Sequence, residues 1–303
     1  RYALPSPGAW LVGSRPDWLR VKMPGGERYA RIKERSRSLK LHTVCEEAQC
    51  PNMGECWGGG TATFMVLGGA CTRGCRFCAV DTARTPAPAD PDEPMNVATA
   101  ICEMGLDYVV ITSVNRDDLP DEGAAHFAAC IAACRHLAPT TMVETLIPDF
   151  HGSAPLLDVL LAARPDVLAH NVETVPRLQG VVRDPRANWE NSVAILRHAK
   201  ARGFLTKTSI QLGHGETVDE VREAMRELRA FDVDFLTLGQ YLRPSSKHLP
   251  VREYVHPSVF ASLQADGEAM GFRFVASGPL VRSSYKAGEY FIRDYLRARR
   301  PGR

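Results

Sequence analysis

Nowhere does the 303-residue chain run apolar for the roughly 20 residues that a membrane span needs. It has no secretory h-region, and it starts at Arg1 rather than Met, so we expect the natural N-terminus to lie upstream. No GxGxxG fingerprint and no Walker P-loop follows any strand-like segment, which weakens dinucleotide and NTPase readings. Low-complexity tracts are missing, and so is any repeat beyond a βα period of about 30 residues. Neither charge sign dominates: 37 basic residues face 35 acidic ones, for a net of +2. With 45% apolar and 24% charged residues, 24 Gly and 21 Pro, disordered, collagenous and fibrous classes are excluded. The length admits two domains, although α/β barrels commonly reach about 250 residues as one unit.

The charge is unevenly spread. Residues 1–40 hold ten Lys/Arg against three Asp/Glu, leaving the remainder acidic. Such an arm suits nucleic acid, an acidic protein, a membrane surface or a targeting role; the plain alternative is a solvated arm packed loosely on the domain. Nine cysteines, an odd number without a secretory signal, argue against a disulfide framework and for reduced thiols in metal or catalytic work.

Strand-like segments rich in Val, Ile, Thr and aromatics fall at 61–68, 108–114, 142–149, 166–173, 207–213 and 234–242, with 272–278 as one more. Helical stripes lie between them, one of Phe127, Cys130, Ile131 and Cys134, another of Val218, Val221, Met225 and Leu228. Thr217 and Glu220 have the spacing of a capping box at the start of the second stripe. A terminal helix with a basic tail is expected over 284–298. Repeated βα units imply parallel strands with helical crossovers. A closed barrel, a partial barrel and a doubly wound sheet all satisfy this pattern.

Six cysteines sit within 34 residues, as C-x4-C-x5-C (Cys45, Cys50, Cys56) and C-x3-C-x2-C (Cys71, Cys75, Cys78). Zinc prefers C-x2-C pairs and four closing ligands, and neither group supplies four. A cubane iron–sulfur cluster fits three thiolates better when its fourth iron is left for something else. The second group leaves the C-terminal end of the first strand, the rim where parallel barrels assemble reactions, and Gly74 suits a loop that must curl.

CTRGCRFC (71–78) resembles the signature of radical S-adenosylmethionine (SAM) enzymes. VCEEAQCPNMGEC (44–56) and VRSSY (281–285) resemble the auxiliary-cluster and C-terminal motifs of the lipoyl synthase family, and ITSVNRDDLPD (111–121), AHNVETVP (169–176) and TLGQYLRPS (237–245) follow in family order. The resemblance covers roughly residues 40–290. It implies an α/β fold, a partial (β/α)6 TIM-like barrel over 59–280, with a basic arm and auxiliary motif in 1–58 and the RSSY motif and basic tail in 281–303. It implies two [4Fe–4S] clusters. One is held by Cys71, Cys75 and Cys78 and binds SAM; the other is held by Cys45, Cys50, Cys56 and the serine oxygen of Ser284. Reductive cleavage of SAM would give a 5′-deoxyadenosyl radical, with ferredoxin or flavodoxin as electron donor. Two sulfur atoms would enter C6 and C8 of an octanoyl chain on a carrier lysine, in 2-oxoacid dehydrogenase E2 subunits or the glycine cleavage H protein. The expected compartment is bacterial cytoplasm or a mitochondrial or plastid matrix. The alternatives are a biotin-synthase-like sulfur inserter, and a zinc module whose basic arm binds nucleic acid.

By the same resemblance, Asn171 and Glu173, ending the fourth strand, are expected on the ribose or amino group of SAM, and Ser113, Asn115 and Arg116 on its methionine end; barrel-end hydrogen bonding is the plain alternative. Arg282 is expected to orient the RSSY loop or to counter cluster charge. Cys102, Cys130 and Cys134 are expected in the core, His42 as an ordered loop residue, and Trp57 and Phe77 as shields beside the cysteines. Arg31, Lys33, Arg35 and Arg37 are expected to dock an acidic carrier. Three residues depart from the family pattern: Glu122 replaces a glycine, and Gln211 and His214 replace apolar residues.

Overall fold

The computed structural model describes residues 16–20, 25–39, 41–47, 50, 52–59 and 61–284. Apart from Ser284, the helix expected at 284–298 lies outside them. Within the basic segment, Glu27–Ser38 form a helix, α1. Ile32 and Ser36 bury one face of it, Arg35 pairs with Glu103, and Arg37 approaches Glu46 at 3.8 Å. Then come β1 (His42–Thr43), α2 (Val44–Glu47) and α3 (Met53–Gly59), which carry the first cysteine group.

From there strands and helices alternate: β2 (Thr61–Val66), the short pair β3 (Ala70–Cys71) and β4 (Asp81–Thr82), α4 (Glu93–Met104), β5 (Tyr108–Ser113), α5 (Ala124–Leu137), β6 (Met142–Leu146), α6 (Ala154–Ala162), β7 (Val167–Ala169), α7 (Gln179–Val182), α8 (Trp189–Ala201), β8 (Leu205–Leu212), α9 (Val218–Ala230), β9 (Phe235–Gln240), α10 (Pro257–Ala269) and β10 (Phe274–Gly278). The main sheet runs β1-β2-β5-β6-β7-β8-β9-β10, parallel throughout except for the antiparallel β1 edge. Strand order follows chain order with no reversal, so this is a singly wound partial barrel and not a doubly wound sheet.

The local chemistry explains the elements. β2 and β9 are buried at every position, their threonines included, as parallel strands covered on both faces are. Phe127, Cys130, Ile131 and Cys134 are all buried along α5. The Thr217–Glu220 capping box forms at the start of α9, where Val221, Met225 and Leu228 turn inward while Val218 stays at the surface. Cys102 departs from expectation: it is exposed, because Val97, Ala98, Ile101 and Met104 take the inward face of α4 and the next position swings about 100° away. The ladder of β7 stops at Ala169, short of the expected 173, because His170 turns inward to the Ile147 carbonyl (2.8 Å) and the Ser192 hydroxyl (2.9 Å).

Inside the barrel the strands are filled in layers. Their first residues, Tyr108, Met142, Val167, Leu205 and Phe235, pack into an apolar floor. Two residues further along, Lys207 Nζ meets both Glu144 carboxylate oxygens at 2.8 and 2.9 Å, and the Tyr108 hydroxyl donates to the same carboxylate at 2.6 Å. Burial pushes the Tyr108 phenol well above its usual range, and so does the Glu144 charge, which keeps it a donor. Beyond this plug the C-terminal ends of the strands are open to the site.

Candidate active site

The C-terminal ends of the strands surround a cavity of about 570 Å³, and both cysteine triplets line it. Cys71, Cys75 and Cys78 reach it from the loop that follows β2. Backbone amides aim at two of the sulfurs: Arg73 and Asn115 donate to Cys71 Sγ at 3.4 and 3.3 Å, and Asp184 donates to Cys75 Sγ at 3.3 Å. Such bonds favour charged sulfur and tune a cluster's potential. The loop is held from outside as well. Arg73 is buried and donates to Asp117 (2.7 Å) and to Asp149 (2.7 Å), while the Gly74 amide donates to Asp184 Oδ2 at 2.8 Å. Hydrogen bonds from Arg186 hold the Asp184 carboxyl far below the usual carboxylate range.

The other triplet comes from two short helical turns. The Cys50 amide donates to the Cys45 carbonyl at 2.9 Å, and the Cys56 amide to the Asn52 carbonyl at 2.9 Å. Burial pushes the Cys45 thiol up to about 12, reinforced by Cys50 and Cys56, and burial likewise pushes Cys78 up to about 12 and Cys75 to about 11. Left alone these groups are thiols; a bound cation supplies the charge that makes them thiolates. Burial also raises Cys50, with the Asn52 amide and the Arg282 charge pulling the other way. Val281 to Ser284 form the wall beside it.

The remaining wall is polar. Ser113, Asn115, Asn171 and Glu173 all line the cavity, as expected. The Ser113 hydroxyl and the Asn115 side-chain oxygen are buried without a partner among the described residues. Glu173 has a left-handed backbone (φ 67°) and accepts from Asn171 Nδ2 at 3.1 Å and from Gln211 Nε2 at 2.7 Å. Burial raises its carboxyl, against the Arg183 charge and the two amide donors. Arg116 does not line the cavity; its buried guanidinium binds Asp118 and the Leu67 carbonyl. Arg183 was not anticipated. It lines the cavity with a buried Nε that has no partner among the described residues, and no local motif marks it, since its charge acts on Cys75, more than a hundred positions earlier.

His42 sits in β1 with Nδ1 3.0 Å from Glu47 Oε1, outside the cavity lining. Trp57 is fully buried against Tyr29, and Phe77 lines the cavity. Of the departures, Glu122 occupies φ 50°, where glycine is unstrained. His214 lies in the turn after β8, stacked on Tyr241 at 4.3 Å, and burial holds its imidazole down at about 4, hence neutral.

Residues 65–228 match the family model of the Radical SAM superfamily, and residues 13–50 match the N-terminal domain of lipoyl synthase. Lipoyl synthase 2, chloroplastic, of Populus trichocarpa is 57% identical over 97% of this chain and 76% of its own length. The chain belongs to the lipoyl synthase family. Two further family members, the mitochondrial lipoyl synthase of Arabidopsis thaliana and the chloroplastic one of Ricinus communis, are each 56% identical over 94% of this chain, covering 79% and 80% of their own lengths. Among solved structures, methylornithine synthase (PylB) superposes with a TM-score of 0.53 at 13% identity over 93% of this chain and 91% of its own. The hydrogenase maturase HydG of Carboxydothermus hydrogenoformans superposes at 0.56, with 14% identity, over 71% and 52%. These two likenesses speak for the fold alone. As a lipoyl synthase family member the chain is a radical SAM sulfur-inserting enzyme that uses SAM and iron–sulfur chemistry on lipoyl carrier proteins, and among the described residues no helix is long and apolar enough to cross a membrane.

Proposed function

We propose that this chain inserts sulfur at C6 and C8 of an octanoyl group amide-linked to a carrier lysine, using two [4Fe–4S] clusters. The observation that carries the reading is the convergence of two cysteine triplets and Ser284 on one cavity. Cys71, Cys75 and Cys78 would hold the cluster with an open iron, and Cys45, Cys50 and Cys56 with Ser284 the other. The donor set fits: three sulfurs on each side of the cavity, backbone amides aimed at Cys71 and Cys75, and a hard serine oxygen that binds sulfide-bridged iron less firmly than a thiolate does. When bound, the clusters supply one electron to SAM and sulfur to the substrate.

The chain's own residues bind, orient and exclude water. Glu173, half-buried and fixed by two amides, suits an ammonium or ribose hydroxyls; Arg183 offers a carboxylate an Nε–H that has no partner among the described residues; Ser113 and Asn115 offer further polar atoms. Arg73 pins the cysteine loop to two carboxylates, so its geometry is set before the ligand arrives. Residues 1–58 bring the auxiliary cysteines, 59–280 form the SAM barrel, and 281–303 carry the closing motif. Ferredoxin or flavodoxin would donate the electron, E2 subunits and the H protein would be the carriers, and the names of the relatives favour a plastid or mitochondrial matrix.

The test is anaerobic turnover with an octanoyl-lysine substrate, quantifying 5′-deoxyadenosine and lipoyl product together by mass spectrometry. Reconstituted protein should carry about eight irons per chain. Cys71→Ala should abolish both products, whereas Cys50→Ala should still cleave SAM and insert no sulfur. A wild-type yield of lipoyl product from Cys50→Ala lacking its second cluster would overturn the proposal.

A further inference from the structure

The wall beside the auxiliary cysteines is built by the last described residues of the chain, and two residues far from them in sequence form a seat for it. Asn52, between Cys50 and Cys56, is almost wholly buried and donates from Nδ2 to the Leu280 carbonyl at 2.5 Å. The second seat residue is Gly239 in β9. In register it pairs with Gln211 on β8 and Gly278 on β10, and it faces the cavity. The backbone of Val281 lies directly on it: a Cβ at position 239 would be driven into the Val281 carbonyl, whose carbon would stand 3.0 Å away. The Val281 amide closes a turn onto the Gly278 carbonyl at 3.0 Å, so the segment doubles back over the end of the sheet. Gly239 is therefore small because another backbone occupies the place of its side chain, while Asn52 fixes that backbone from the side of the auxiliary triplet.

We infer that Asn52 and Gly239 are positioning residues for sulfur insertion: together they seat residues 280–284 against the auxiliary triplet, and the seat serves sulfur transfer but not radical formation. The inference rests on the proposed role of Ser284, four residues after the carbonyl that Asn52 holds. Asn52 stands apart from the Cys71–Cys78 loop and from the Ser113, Asn115, Glu173 and Arg183 wall, so loosening its bond to Leu280 leaves the SAM end of the cavity intact; Gly239 pairs with Gln211, a neighbour of Glu173, so Asn52→Ala is the cleaner variant. A displacement of about an ångström at a reacting group is enough to cost about a hundredfold in rate.

The experiment uses reconstituted holoenzyme of Asn52→Ala, Asn52→Ser, Gly239→Ala and Ser284→Ala, read by hydrogen exchange at residues 281–284 and by the ratio of lipoyl product to 5′-deoxyadenosine. In Asn52→Ala and Gly239→Ala the 281–284 amides should exchange about tenfold faster or more while the Cys71–Cys78 loop keeps its protection. The product ratio should fall about tenfold or more with 5′-deoxyadenosine within about twofold of wild type, and Asn52→Ser, which keeps a donor, should recover part of the loss. Wild-type exchange or a wild-type product ratio in Asn52→Ala overturns the inference, and this variant decides if Gly239→Ala opens the whole barrel. Loss of product in Asn52→Ala with full product in Ser284→Ala keeps the seat and removes the serine from the ligand set. The reverse pattern keeps the serine and removes the seat.

Discussion

Glu173 is the carboxylate that Asn171 and Gln211 hold, and Gln211 stands where the sequence pattern leads us to expect an apolar residue. A Met or Ile at position 211 would pack equally well against the barrel but donate nothing. Because burial raises the Glu173 pKa, affinity for a cationic ligand should be full above that pKa and fall as pH drops through it. The same shift makes ionised Glu173 a cost to folding at neutral pH, since the unfolded chain ionises it more readily. Gln211→Met removes a donor to the charged form, so the fall should begin at higher pH. At neutral pH, SAM should bind about tenfold more weakly with iron content unchanged. Calorimetric titration of SAM across the mildly acid to mildly alkaline range checks this, and a wild-type profile would count against Gln211 as the support of Glu173. At this scale the cysteine ligands were legible because spacing along the chain is their signal. Arg183, Asn52 and Gly239 were not, because each acts on a segment more than forty positions away and nothing nearby in sequence marks the contact.

Among the elements, the strands and helices read from periodicity appear where expected, and the misses have local causes. β7 is cut short by the inward turn of His170, and Cys102 lies one step beyond the buried stripe of α4. The polar plug between β6 and β8 had no signature, since a lysine and a glutamate in separate strands look alike whether they pair or face water. Its energetics are nonetheless sharp. Lys207→Met leaves Glu144 buried without its cation and should destabilise the chain by about 3–5 kcal/mol. Glu144→Leu combined with Lys207→Met and Tyr108→Phe replaces the whole network with apolar groups and should recover most of that loss. Urea unfolding of the three proteins measures it; equal stability of Lys207→Met and wild type would show that the pair contributes nothing.

For the molecule as a whole, the basic excess near the N-terminus is only partly free to meet a partner. Arg35 and Arg37 already face Glu103 and Glu46, whereas Arg31 is exposed and Lys33 half-exposed on α1. Reversing Arg31 and Lys33 to Glu should lower kcat/KM on an intact acidic carrier by about threefold to tenfold at low salt, with the difference vanishing as salt rises. Turnover of a short octanoyl-lysine peptide should be unchanged. Equal rates on the carrier at low salt would return α1 to the role of a solvated helix. The bond between Asn52 and the Leu280 carbonyl spans 228 positions and has a consequence in time. During synthesis the barrel strands emerge and can pair in order, each beside the one before it, but the wall of the auxiliary site exists only after residues 280–284 have followed the last strand of the sheet. A polypeptide truncated before residue 280 would keep both cysteine triplets and every strand of the barrel, yet lack one side of the chamber where sulfur is proposed to be transferred. Among the described elements, the one that completes the proposed sulfur-transfer chamber is thus the last to be made.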